Sequence, residues 1–127
     1  MSGNTKNLVK FDSGVEVDVT DLFELASDWF WVMDQDLRYV YFSPCVEEVT
    51  GDPPEWHIGR TREELGVTID SGSDRLRNRQ NFQGQLVSRK RSDGRVIWIR
   101  ASGKAIFADD GSFSGYIGTG TDVTSEI

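Results

Sequence analysis

Residues 115–124 read Gly-Tyr-Ile-Gly-Thr-Gly-Thr-Asp-Val-Thr, and this stretch decides the fold. Its aromatic, aliphatic and threonine residues indicate a β-strand, although three glycines are unusual inside one strand. The Asp-Val-Thr ending indicates where the strand stops, because Asp and Thr are favoured where a turn or helix begins. Alone, the stretch predicts only a glycine-rich strand, so its meaning depends on the segments before it.

The chain contains further segments with strand composition. Together with the glycine-rich strand, five are predicted, over residues 29–33, 37–42, 82–90, 95–107 and 113–123. Polar turns at residues 34–36, 92–94 and 109–111 separate neighbouring strands, and Asp-Gly in the last two is a strong hairpin signal. These turns predict an antiparallel arrangement.

Short helices are predicted between the second and third strands. Ser43 can cap the first helix, Pro44 suits its first turn, and Gly51 suits its left-handed end. Residues 61–64, Thr-Arg-Glu-Glu, have the spacing of a capping box. A basic stretch over residues 70–81 is a further helix candidate. Helices that interrupt an antiparallel meander predict an α+β domain.

The 127 residues suit one domain with one core. We predict a flexible lead-in over residues 1–18 and a domain over residues 19–127, with a short helix near residues 18–26. No apolar run reaches the roughly 18 residues of a membrane span, and the N-terminus lacks a hydrophobic signal region. We therefore expect a cytoplasmic domain without membrane insertion, although its parent protein can still be membrane-anchored. One cysteine and one histidine exclude an internal disulfide and a Cys/His zinc cluster.

Charge is distributed unevenly along the chain. The net charge of −7 divides into −11 over residues 1–74, +7 over residues 75–100 and −3 over residues 101–127. A basic block can bind nucleic acid, but a solvated face is its more common role. Because the acidic remainder repels a polyanion, we expect no nucleic-acid binding.

Several motifs, taken in order, closely resemble a PAS domain, the sensory module of bacterial signalling proteins. The matching stretches are Asp28-Trp29-Phe30-Trp31, Asp36-Leu37-Arg38, Thr50-Gly51, Gly59-Arg60-Thr61-Arg62 and the glycine-rich strand at 115–124. The resemblance covers roughly residues 21–124 and is greatest to modules of sensor histidine kinases and cyclic-di-GMP enzymes. It implies the PAS fold, an α+β domain with a five-stranded antiparallel sheet and several short helices packed on one face.

The resemblance also implies a function. A PAS module relays a ligand, redox or conformational input to a downstream effector domain in the same polypeptide, here a histidine kinase or cyclic-di-GMP enzyme. The alternative is a ligand-free interaction module that only dimerises. Apolar residues at Leu22, Phe23 and Leu25 predict a homodimer, unless that segment folds onto its own sheet. The chain lacks a nucleophile triad and a phosphate-binding loop, so we expect no enzymatic activity.

The residues around the candidate cofactor ligands argue against haem and flavin. A PAS haem sensor needs an axial ligand, typically a histidine on a helix over the sheet. Only His57 is available, and we expect it to be partly exposed in a short surface turn. Light-sensing relatives use a cysteine within Asn-Cys-Arg-Phe-Leu-Gln, a motif that does not surround Cys45. We expect Cys45 to be a small buried thiol, with redox sensing as the alternative. No cofactor is therefore predicted.

Two groups of residues are candidates for function. Six apolar residues can line a small-molecule pocket between helices and sheet: Met33, Phe42, Leu65, Phe82, Trp98 and Tyr116. The alternative, which we favour for a small domain, is that they fill a solid core. Asp122 and Thr124 are candidates for a signal relay to an exit helix, or alternatively form a simple strand terminator with a capping side chain. The relatives commonly have arginine where this chain has Ile117, and their segment before the third strand is longer, so the ligand cannot be inferred from them.

Overall fold

The computed structural model describes residues 8–10, 12–18, 28–69 and 74–126. Its elements, in chain order, are β1 (Leu8–Lys10), β2 (Glu16–Asp18), β3 (Trp29–Met33), β4 (Tyr39–Phe42), α1 (Val46–Thr50), α2 (Pro54–His57), β5 (Thr68–Ile69), β6 (Phe82–Lys90), β7 (Val96–Phe107), β8 (Phe113–Asp122) and a 3-10 helix (Thr124–Glu126). Among the described residues, no helix is long and apolar enough to cross a membrane.

The main sheet is antiparallel, with the strand order β4-β3-β8-β7-β6-β5. All five predicted strands are present, and the α+β class is confirmed. The sheet has six strands rather than five because Thr68 and Ile69 pair with Ser88 and Val87 at its edge. A strand of two residues is too short to show an alternating pattern in the sequence.

The predicted lead-in contains regular structure in its described part. Strands β1 and β2 pair with each other as a separate two-stranded sheet, in which Leu8 lies opposite Asp18 and Lys10 opposite Glu16. The helix predicted over residues 18–26 begins at Asp18, which belongs to strand β2. Residues 19–27 lie outside the described ranges.

Two tryptophans account for two of the three glycines of the final strand. Gly120 lies opposite Trp29, and Gly118 lies opposite Trp31, in the pairing of β8 with β3. A Cβ atom on Gly120 would lie 2.5 Å from the Trp29 ring, and one on Gly118 would overlap the Trp31 ring. Glycine is required at both positions because only a missing side chain leaves room for the indole rings.

The short helices differ in detail from their predicted ends. Cys45, not Ser43, is the N-cap of α1, since the Ser43 hydroxyl accepts the Phe30 backbone N–H at 2.8 Å. Ser43 was therefore wrongly predicted as a cap, because its hydroxyl is used by strand β3. Gly51 ends α1 as predicted, with φ of 83° and its N–H on the Glu47 carbonyl.

The loop between α2 and β6 contains turns in place of the predicted helices. The capping box is present, because the Thr61 N–H lies 2.8 Å from Glu64 Oε1 and the Glu64 N–H lies 3.2 Å from Thr61 Oγ1. It closes only a turn over residues 62–66. In the described part of the basic stretch, residues 75–79 also form turns, and Leu76 is its buried residue.

The core lies between the sheet and these turns. Along β3, the side chains of Trp29, Trp31 and Met33 point inward while the residues between them are half-buried. On β6, the inward positions include Val87 and, unusually, Arg89, which is only 4% exposed. Because a buried arginine is unusual in a small core, this region is a candidate for a functional site.

Candidate functional site

A cavity of about 50 Å³ lies between the inner face of the sheet and the loop that crosses it. Its wall is mostly apolar, formed by Trp29, Trp31, Tyr39, Phe42, Leu65, Val67, Leu76, Phe82, Val87, Ile99, Ala101 and Gly120. Its polar members are Arg62, Gln85 and Arg89. An apolar wall with a few polar groups is typical of a small-molecule site.

Three of the six predicted pocket residues, Phe42, Leu65 and Phe82, line this cavity. Trp98 does not, because side chains alternate across a strand and its neighbours Ile97 and Ile99 occupy the inward positions. Trp98 therefore lies on the outer face of the sheet. The sequence predicted a strand here but did not give the direction of each side chain.

Met33 and Tyr116 are buried but do not line the cavity. They lie opposite each other in the pairing of β3 with β8. The Tyr116 hydroxyl lies 2.9 Å from the Gln80 carbonyl and 3.1 Å from the Leu76 carbonyl. Because these carbonyls belong to the basic turn segment, Tyr116 holds that segment against the sheet.

Arg89 is the centre of a buried polar network that also contains His57 and Asp52, here called the Arg89 cluster. Arg89 Nη1 donates to His57 Nε2 at 2.9 Å, and Arg89 Nη2 donates to Asp52 Oδ2 at 3.1 Å. The Thr50 hydroxyl accepts the Asp52 N–H at 3.2 Å, which fixes the turn after α1. Burial lowers the pKa of Arg89, and the negative charge of Asp52 offsets only part of this effect.

His57 is fully buried, so the prediction of a partly exposed histidine was wrong. Its ring packs 4.3 Å from the Phe42 ring, and its Nδ1 lies 2.9 Å from the Pro53 carbonyl. A carbonyl can only accept, so Nδ1 carries the proton and Nε2 accepts from Arg89. One signal in the sequence was missed: His57 follows Pro53 by four residues, so the single turn of α2 brings its ring to the carbonyl of Pro53, the N-cap.

The neutral state of His57 makes stability depend on pH. Burial lowers the pKa of His57, and the positive charge of Arg89 lowers it further. In the unfolded chain His57 binds a proton as pH falls below about 6.5, whereas in the folded chain it does so only at a lower pH. We therefore expect the free energy of unfolding to decrease from about pH 6.5 downward. The measurement is chemical unfolding between pH 7.5 and 5, compared with His57→Gln. If the pH slope of the variant matched that of the parent chain, His57 would not be the group responsible.

A second arginine, Arg62, also lines the cavity and is 6% exposed. Its Nη2 lies 2.8 Å from both carboxylate oxygens of Asp74. Burial acts to raise the pKa of Asp74, but hydrogen bonds from Arg62 and Arg77 outweigh it and hold that pKa below its usual value. Burial raises the pKa of Tyr39 well above its ordinary value, so its phenol is neutral beside both arginines.

The two predicted relay residues lie together at the end of β8. Asp122 Oδ1 accepts the Thr124 backbone N–H at 3.0 Å and the Thr124 hydroxyl at 2.6 Å. The same hydroxyl accepts the Trp98 backbone N–H at 3.0 Å. Asp122 and Thr124 therefore tie the start of the 3-10 helix to strand β7.

No curated protein is similar enough to count as a match. Among solved structures, an RNA-binding light-oxygen-voltage receptor is 26% identical with a TM-score of 0.67, over 85% of this chain and 33% of the receptor. The chain thus spans about a third of that receptor. The N-terminal domain of a diguanylate cyclase with a PAS/PAC sensor, from Marinobacter aquaeolei, is 16% identical with a TM-score of 0.64. It is matched over 78% of this chain and 97% of that one.

The light-oxygen-voltage domain of a blue-light-activated histidine kinase from Erythrobacter litoralis is 20% identical, with a TM-score of 0.62 over 76% of this chain and 95% of that one. At these low identities, the likeness to the cyclase and kinase domains concerns the fold alone. The family model described as the PAS fold matches residues 18–123, which is most of the chain. The resemblance predicted from the sequence is therefore confirmed, and the chain belongs to the PAS family of sensory domains.

Proposed function

We propose that this PAS domain senses a small molecule in its cavity and relays the input to an effector domain in the same polypeptide. The observation that supports the proposal is a direct connection from the cavity to Asp122 and Thr124 at the end of strand β8. Gly120 and Ile99 line the cavity, and Ile99 lies opposite Asp122 in the pairing of β7 with β8. A molecule in the cavity would thus contact the two strands that Asp122 and Thr124 tie together.

The alternative is a module that dimerises without a ligand. A thermal-shift screen with metabolites separates the two proposals, because a ligand that binds only the folded state raises the unfolding temperature. A specific stabiliser that is lost when the cavity is filled by mutation supports sensing. If no compound stabilises the domain, the interaction module is the better description.

The proposed effector is a histidine kinase or a cyclic-di-GMP enzyme. The similar folds found in a diguanylate cyclase and in a histidine kinase support this choice. In this proposal the chain itself is regulatory and catalyses no reaction. We propose a cytoplasmic location for the domain.

The cavity does not fit haem or flavin. At roughly 10–15 Å³ for each water-sized group, about 50 Å³ accommodates only a few non-hydrogen atoms, far fewer than either cofactor contains. Both ring nitrogens of His57 already have partners, so neither is free to bind iron. Cys45 is not part of the cavity wall, and its thiol lies 3.5 Å from the Asp28 carbonyl.

We therefore expect the purified domain to be colourless. The measurement is an absorption spectrum of the protein expressed with haem and flavin precursors present. A Soret or flavin band that scales with protein concentration would contradict this prediction and would require the cavity to open.

We propose that the domain is a homodimer through residues 20–26, which lie outside the described ranges. The apolar side chains of Leu22, Phe23 and Leu25 support this proposal. Replacing both Leu22 and Phe23 by serine is expected to convert the dimer to a folded monomer, measured by light scattering and circular dichroism. If the variant instead unfolds, the segment packs onto its own sheet, and a monomeric parent chain at high concentration would also contradict the dimer.

We propose no nucleic-acid partner, although one similar structure is an RNA-binding receptor. Several arginines of the basic block have acidic partners in the structure, including Arg77 with Glu63 and Arg91 with Asp93. Arg89 is buried and cannot contact a phosphate backbone. These pairings reduce the positive charge that a polyanion would meet.

A further inference from the structure

The charged groups on the cavity wall are all positive. Among the described residues that line it, Arg62 and Arg89 are the charged members, and no aspartate or glutamate belongs to the wall. Asp74 and Asp52, which pair with these arginines, do not line the cavity. A molecule inside the cavity therefore meets the positive side of two ion pairs, in surroundings that contain few other polar groups.

Arg89 also has unused hydrogen-bonding capacity. A guanidinium has five N–H donors, and two of its nitrogens, Nη1 and Nη2, donate to His57 and Asp52. Its third nitrogen, Nε, is buried and has no acceptor among the described residues. A buried N–H without an acceptor is costly and uncommon in folded proteins, so an acceptor at this position would stabilise the domain.

The missing acceptor can be identified by its chemistry. A carboxylate oxygen forms a short, charge-assisted bond with a guanidinium, and its negative charge is favoured beside two arginines. An ammonium group would be repelled, and a neutral amide would form a weaker bond. The volume of about 50 Å³ limits the molecule to a few non-hydrogen atoms. The remaining wall, which includes Trp31 and Phe82, suits a short apolar chain.

We propose that the cavity binds a short-chain monocarboxylate, whose carboxylate accepts the Arg89 Nε–H and whose hydrocarbon part packs against the aromatic wall. This inference rests on the proposed sensory function, because it names the class of ligand for the same cavity. It also gives the buried Arg89 cluster a role: His57 and Asp52 hold the guanidinium in place by its two other nitrogens.

The test compares propionate with propionamide, which has nearly the same shape but no charge. Binding is measured by calorimetry and thermal shift on the whole chain, at constant ionic strength set with chloride. We expect saturable binding of propionate and at least about tenfold weaker binding of propionamide, since charge-assisted bonds are roughly twice as strong as neutral ones. Benzoate, which is larger than the cavity, should bind more weakly than propionate.

Three variants test the location of the site. Arg89→Met should abolish propionate binding, whereas Arg100→Met, an exposed arginine on the neighbouring strand, should leave it unchanged. Because Arg89→Met can impair folding, Ala101→Val provides a second test, since it fills the cavity without altering the Arg89 cluster. That variant should also lose propionate binding while its circular dichroism spectrum stays the same.

Three outcomes would contradict binding of a short-chain monocarboxylate in the cavity. Equal binding of amide and carboxylate, retained binding in Ala101→Val, or no binding of any probe to the parent chain would each overturn it. A different class of metabolite that stabilises the parent chain but not Ala101→Val would overturn the carboxylate assignment and leave the sensory function standing. The two hypotheses can therefore fail separately.

Discussion

Replacement of Asp52 by alanine is expected to lower the free energy of unfolding by about 3–5 kcal/mol, because it leaves a buried guanidinium without its counter-charge. The Arg89 side chain is only 3% exposed, whereas that of Asp52 is 21% exposed. His57 cannot replace the lost charge, since it is a neutral acceptor. The measurement is urea unfolding at pH 7.5, where His57 is neutral in both states.

Two controls separate this effect from a general loss of surface charge. Asp93→Ala removes an aspartate that pairs with two arginines at the exposed β6–β7 turn, and its effect should be much smaller. The double change Asp52→Ala with Arg89→Met should recover much of the lost stability, because an apolar side chain then replaces the unpaired charge. If Asp52→Ala were no more harmful than Asp93→Ala, the Arg89 cluster would not contribute to stability as the geometry indicates.

The architecture was accessible from the sequence because the signals that specify it are local. The hairpin turn around Asp93 and Gly94, the left-handed Gly51 and the capping box of Thr61 and Glu64 each depend on residues a few positions apart. Such contacts can be predicted from the types of neighbouring residues. The family resemblance added the expectation that the strands form one sheet with the helices packed on one face, which local signals do not specify.

Other parts of the fold depend on pairs that are distant in the chain. Gly118 and Gly120 are needed because the rings of Trp31 and Trp29 lie over them, a relation that appears only once β3 is paired with β8. The sequence shows that strand β8 is rich in glycine, but it does not show why. For the same reason the hydroxyl of Ser43, predicted as a cap, is instead bonded to β3.

The candidate site was only partly predictable, since its chemistry comes from polar residues in an apolar core. Composition selects apolar residues as pocket candidates, and three of these line the cavity. Arg89 could not be found in this way, because arginines are seldom buried without a partner and its partner, Asp52, is 37 residues away. The burial of His57 follows from the same network.

Replacement of Asp122 by alanine is expected to change signal output far more than stability. The change removes the two hydrogen bonds that Asp122 accepts from Thr124 and should cost about 1–3 kcal/mol, so the fold survives. The tie between the end of β8 and the Trp98 backbone through Thr124 would nevertheless be loosened. In a fusion with a histidine kinase effector, we expect autophosphorylation to become fixed at one level and to lose its response to ligand.

The chain contains a closely matched control for this prediction. Asp110 precedes β8 and makes the same pair of contacts, accepting the Ser112 N–H at 2.9 Å and the Ser112 hydroxyl at 2.6 Å. It lies at the opposite end of the strand from the proposed effector, so Asp110→Ala should leave the kinase response intact. If Asp122 acts as a relay, the two variants should differ in kinase response although they remove the same kind of hydrogen bonds. If Asp122→Ala folds normally and its fusion responds as the parent fusion does, Asp122 and Thr124 only terminate the strand.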